Sequence, residues 1–162
     1  MNLGHILFSF GGRINRAKWW LAVLISIIIA IVVVGIGMVL QNDTIAGVLT
    51  FIVWLILLWI GLAAGAKRLH DLNRTAAWLV FFWGVPILLN IIFAVVAGTA
   101  FIMMLVAGKE PDPAEIARVG GVALIIYVLV LAVWIWALIW FGCLRGTVGP
   151  NQYGPDPLEG RV

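Results

Sequence analysis

The stretch VALIIYVLVLAVWIWALIWFG, residues 122–142, carries no charged side chain. A helix needs about 20 residues to cross the roughly 30 Å hydrocarbon core of a bilayer, and this run supplies them. Three further runs share the property, at 19–40, 45–66 and 77–107. Lipid offers no partner to backbone N–H and C=O groups, so only helices or closed barrels span it. None of the four runs alternates as a barrel strand does. The fold class is therefore all-α integral membrane, with four transmembrane helices.

Composition supports this. The chain has 162 residues, 64% hydrophobic and 10% charged, with a mean hydropathy of +1.16. A soluble domain is nearer half apolar and about a quarter charged. The length suits a single membrane domain, 1–162. Nine Trp residues fit a protein with two membrane interfaces, where an indole satisfies both its ring and its N–H. A single cysteine, Cys143, allows no internal disulfide and does not report a redox compartment. The net charge of +3 is too modest to indicate nucleic acid. Its distribution bears instead on topology.

Arg13, Arg16 and Lys18 precede the first helix, and Lys67, Arg68 and Arg74 lie between the second and third. Arg145 and Arg161 follow the fourth. On the other side, the first connection has only the polar run QNDT, and the last has Lys109 and Arg118 among Glu110, Asp112 and Glu115. Eight basic residues thus stand against two. The positive-inside rule predicts an N-in/C-in arrangement. The N-terminal segment 1–18, the loop 67–76 and the tail 143–162 are then cytoplasmic, and the loop 108–121 is periplasmic.

The third run is too long for a straight crossing, since it would make a helix of roughly 45 Å. Pro86 removes a backbone donor inside it, which predicts a long third helix kinked there. A re-entrant turn near Gly84–Pro86 is the alternative. Asn90, the most polar side chain near mid-membrane, reads as interhelical glue. The GLAAG run at 61–65 matches G-x-x-x-G, a weak signal for close helix packing.

The chain start does not read as a cleaved signal peptide, because the first apolar run exceeds an h-region and no A-x-A site closes it. Ahead of it, MNLGHILFSF places Leu3, Ile6, Leu7 and Phe10 on one helical face, which predicts a short interfacial helix. Gly11 and Gly12 break that helix. Asn15 is the expected N-cap of the first span, with Ile14 and Trp19 at the staple positions. In EPDPAEIARVGG, Asp112 caps, Pro113 takes the first helical position and Glu115 completes a capping box. A short helix on the outer surface, ended by Gly120, is expected there.

The most polar cluster is AKRLHDLNRTAAW, residues 66–78. Lys67 and Arg68 offset the negative end of the second helix dipole. Asn73 or Thr75 can cap the third helix, and Trp78 anchors it. His70 and Asp71 are left over. As a proton carrier or metal ligand, His70 would need orientation by Asp71, yet adjacent side chains rarely face each other. The only other histidine is His5, and a metal site takes three or four ligands. A buried polar knot is the better reading. No metal or cofactor is expected. Coupled transporters keep ionisable residues inside the membrane, and the four runs have none. No P-loop, zinc-protease or nucleophile-elbow pattern appears.

Three stretches together resemble a known family: FGGRINRAKWW (10–20), KRLHDLNRTAAW (67–78) and GTVGPNQYGPDP (146–157). They are similar to domain-of-unknown-function family 805, small inner-membrane proteins of bacteria. The matching positions include Arg13, Arg16, Trp20, Arg68, His70, Asp71, Arg74, Trp78, Asn151, Tyr153 and Asp156. The resemblance implies a location in the bacterial inner membrane and carries no established activity. Ala77 departs from a Trp often found there. Short members also have one apolar segment between the second and third motifs, where this chain has two.

The tail is dense in turn formers, with Pro150–Asn151, Gly154–Pro155 and Asp156–Pro157. Proline lowers the entropy lost on docking. The tail is therefore expected to fold back over the helix ends. Asp156 would pair with Arg13, Arg68 or Arg74, and Tyr153 would lie in the interface. The expected function is non-enzymatic: a small membrane module in contact with membrane lipids, binding anionic headgroups, a protein partner or a second copy of itself (a homo-oligomer) through its cytoplasmic face. A transporter or channel component is the alternative, followed by a membrane enzyme using His70 and Asp71.

Overall fold

A computed structural model describes residues 2–40, 42–108 and 112–159. Lys109, Glu110 and Arg161, counted in the topology argument, lie outside them, as does Gln41 of the first connection. The chain forms α1 (Leu3–Phe8), α2 (Arg16–Leu40), α3 (Asp43–Asp71), α4 (Trp78–Ala107) and α5 (Pro113–Leu138). A π-helical turn, Ile139–Cys143, follows α5 directly. Among the described residues, four helices are long and apolar enough to cross a membrane.

The first of the two parts of the molecule joins residues 1–79 to 139–162. Its start follows local chemistry. The Asn2 side chain caps α1 by accepting from the His5 N–H at 2.9 Å. Ile6 and Leu7 turn inward onto Ile14, Ala22 and Ala64, while Leu3 and Phe10 stay exposed. Only part of the expected apolar face is thus covered. Gly12 then turns the chain with φ +85°, a conformation glycine adopts without strain. Asn15 caps α2 as expected, its Oδ1 accepting from the Lys18 N–H at 3.0 Å. Ile14 and Trp19 join the same apolar cluster, as a hydrophobic staple requires.

Asn42 caps α3, accepting from the Ile45 N–H at 3.0 Å. The helix continues beyond the apolar run to Asp71, so Lys67, Arg68 and His70 are helical rather than loop residues. Small side chains permit this end to be buried. Ala63, Ala64 and Ala66 are covered, and a Cβ on Gly65 would come within 2.8 Å of the Leu79 side chain. Elsewhere α2 and α3 expose large apolar side chains such as Ile31, Val39 and Phe51, as helices facing lipid do.

The second part spans residues 80–138. Helix α4 runs unbroken through Pro86, so there is no re-entrant turn. Asn90 corrects its expected role. Its Nδ2 donates to the Pro86 carbonyl at 2.8 Å, within its own helix. Aromatic edges join α4 to α5, with Phe81 and Trp136 centroids 5.4 Å apart and Trp83 and Trp134 5.5 Å apart. Such edge-to-face pairs exploit the ring quadrupole.

The expected surface helix before the fourth span is not separate. Helix α5 starts at Pro113 and passes through Gly120 and Gly121 without a break. Asp112 does cap it, accepting from the Ala114 N–H at 3.0 Å. The Glu115 carboxylate accepts from Arg118 at 2.9 Å.

Candidate functional site

The three polar stretches meet at one end of the first part. Arg13 leaves the Gly12 turn just ahead of α2. Arg68 and Asp71 project from the last turn of α3. Residues 144–154 lie across both. Asp71 is the hub, 3% exposed. Its Oδ1 accepts from Arg13 Nε at 3.2 Å and Nη2 at 3.1 Å. Its Oδ2 pairs with Arg68 Nη1 at 2.5 Å. One carboxylate thus serves two guanidiniums, and the remaining N–H donors go to tail and turn carbonyls.

Arg13 donates to the carbonyls of Thr147 at 2.6 Å, Gly149 at 2.8 Å and Gly154 at 3.2 Å. Arg68 Nε donates to the Phe141 carbonyl at 2.8 Å, and its Nη2 donates to that of Leu144. These acceptors explain the π turn. A wider i→i−5 bond, Leu144 N–H to the Ile139 carbonyl at 3.1 Å, lets the carbonyls at 141, 142 and 144 turn toward donors. Trp20 takes the Gly142 carbonyl with its indole N–H at 3.2 Å. Arg16 reaches the Cys143 carbonyl at 3.4 Å.

The tail returns bonds to α3. Thr147 N–H donates to the Asp71 carbonyl at 2.8 Å, and Asn151 Nδ2 donates to that of His70 at 2.9 Å. Asn151 and Gly154 close a tight bridge through both backbone pairs. Tyr153 then stacks on His70, with centroids 4.0 Å apart and planes within 7°. His70 Nδ1 lies 3.2 Å from the Gly12 carbonyl, well apart from the Asp71 bonds. Arg74 sits over the Trp140 ring at 5.9 Å, and Trp78 packs on that same ring at 5.1 Å. All eleven residues singled out in the sequence fall at or beside this clasp.

One expectation needs correction. Asp156 is not the partner of Arg13, Arg68 or Arg74. It folds its own tail, accepting from the Gly149 N–H and the Leu158 N–H, each at 2.9 Å. Those two donors hold its carboxyl below the usual carboxylate range. Tyr153 lies on His70. The sequence reading also missed Lys67, fully buried, whose ammonium donates to the Ile6 carbonyl at 2.7 Å and to that of His5. It ties α1 to α3. Gly146 was missed as well. A Cβ there would overlap the Asp71 carboxylate, so only glycine lets the tail pass.

Two helices of spanning length, α4 and α5, separate the second motif from the third. A match to the family described as "Protein of unknown function (DUF805)" covers residues 7–155, which takes in all three motifs. The chain belongs to the DUF805 family. Inner membrane protein YhaH of Escherichia coli (strain K12) is 33% identical, over 92% of this chain and 87% of YhaH. The protein of that name from Escherichia coli O157:H7 gives the same figures. No solved structure matches the chain. With its four spanning-length helices, this DUF805 protein is a multi-pass protein of the bacterial inner membrane.

Proposed function

We propose that the protein is a non-enzymatic interaction module with both termini and the 67–76 loop in the cytoplasm. The 108–121 loop is periplasmic, α1 lies in the interface and α4 bends at Pro86. The clasp end then faces the cytoplasm, where it binds anionic lipid or a protein partner. One observation carries this reading. The groups a catalyst would use are consumed by the fold, Asp71 by two guanidiniums and His70 by a stacked ring. Arg16, Arg74 and Arg145 stay exposed beside the clasp. Basic residues beside anionic lipid are each worth about 1 kcal/mol.

The test places a photoreactive residue at Lys18, on the rim but outside the clasp bonds, and irradiates native membranes. A discrete lipid or protein adduct is the expected result, and in the unsubstituted chain the Lys18 amine should be shielded from a membrane-impermeant amine reagent added from the periplasmic side. Labelling of Lys18 from the periplasm would overturn the orientation. Adducts confined to the chain itself would count against an interaction role.

A further inference from the structure

A cavity of about 610 Å³ opens between the start of α2 and the tail. That volume lies within the range of small-molecule sites. Its lining includes two guanidiniums, Arg16 and Arg145, and two carboxylates, Asp156 and Glu159. Val148 and Leu158 add apolar wall. Both arginines are exposed, and among the described residues neither is in an ion pair. Asp71 also borders the cavity, but Arg13 and Arg68 neutralise it.

Depth narrows the ligand. Arg16 is the first residue of α2, and Arg145 follows the π turn that ends the last span. Trp20, bonded to Gly142, and Trp19, 5.8 Å from Phe141, mark the same level. Tryptophan favours the headgroup layer. The cavity therefore opens where phospholipid phosphates lie. Arginine forks suit phosphate, often in paired bonds. A purely anionic headgroup would also meet Asp156 and Glu159, and like charges brought together are costly. A headgroup carrying an ammonium beyond its phosphate would satisfy both pairs.

We propose that this cavity binds a phosphoethanolamine group of a membrane lipid, phosphate toward Arg16 and Arg145 and primary ammonium toward Asp156 and Glu159. Soluble phosphoethanolamine shares the chemistry, and the cavity's level in the bilayer favours the lipid. The proposal rests on the lipid arm of the reading above, through the same Arg16 and Arg145, and narrows it from an anionic to a zwitterionic headgroup; it holds for either orientation of the clasp.

The test is native mass spectrometry of the full chain in mild detergent. Phosphatidylethanolamine, phosphatidylcholine and phosphatidylglycerol of matched acyl chains are added, with soluble phosphoethanolamine as competitor. Choline has no N–H to donate, and the glycerol headgroup has no cation. Phosphatidylethanolamine should be retained about tenfold better than either, the scale of one charge-assisted hydrogen bond. Arg145→Gln should lower that retention about tenfold, and Arg145→Lys should restore part of it. Glu159→Gln should bring phosphatidylethanolamine down to the level of phosphatidylglycerol. Both side chains are exposed, so an unchanged melting curve is the folding control. Preferred retention of phosphatidylglycerol, lost in Arg145→Gln, would overturn the ammonium half while leaving the anionic-lipid reading standing. Equal retention of all three lipids, indifferent to Arg145→Gln, would overturn the site. Displacement of lipid by equimolar soluble phosphoethanolamine would overturn the lipid source.

Discussion

The two parts of the molecule hold themselves together by different means. In the part formed by residues 1–79 and 139–162, four charged side chains are buried: Arg13, Lys67, Arg68 and Asp71. Each has directed partners. In the part formed by residues 80–138, the prominent contacts are aromatic edges. Local polar bonds occur there, such as Asn90 to its own helix and Arg118 to Glu115 one turn away. Apolar burial gives helices little reason to prefer one arrangement in lipid, where tails are as apolar as leucine. Directed bonds do discriminate, because an unpaired buried charge is expensive. The clasp is thus the region where a single substitution should matter most.

Asp71→Ala is expected to break the contrast outright. It leaves two buried guanidiniums without their anion, a loss of about 3–5 kcal/mol. Unfolding of the purified protein in mild detergent reads this, and a wild-type melt would refute the hub role. Gly146→Ala should cost about 1–3 kcal/mol, since the new methyl overlaps the Asp71 carboxylate and the tail must shift. A smaller effect is expected for His70→Ala or Tyr153→Ala. A double-mutant cycle should return a coupling of about 0.5–1.5 kcal/mol for the stacked pair. Strict additivity would mean that the stacking adds nothing. The smallest effect belongs to the other part. Arg118→Ala removes an exposed ion pair worth about 0.2–1 kcal/mol. A loss as large as that of Asp71→Ala would erase the distinction between the two regions.

The spans were legible because hydropathy accumulates over many residues, and an error at one position changes little. Asn15 was legible because a cap and its staple sit within five residues of one another. Even the meeting of the three motifs followed from counting charges and crossings. The identity of the partners did not. Asp71 and Asp156 are both acidic and both adjoin arginines in the folded chain. Which of them takes Arg13 depends on the path of a tail 134 residues downstream. The π turn was hidden for the same reason. Nothing in IWFGC asks for a wider turn until Arg68 and Trp20 draw on its carbonyls. Lys67 looked like a charge for a helix end, and it became a tether for α1.

The Arg13–Thr147 contact also has a consequence in time. Arg13 leaves the ribosome well before Thr147, which is made 134 residues later. Until then, three of the hydrogen-bond acceptors that complete Arg13 do not exist, and the Phe141 and Leu144 carbonyls that receive Arg68 are made only a few residues earlier. The first helices must enter the bilayer with this polar cluster still open to water or held by a chaperone. Closure therefore waits for the tail, and a chain broken off before residue 147 would keep its charged centre exposed to quality-control proteases.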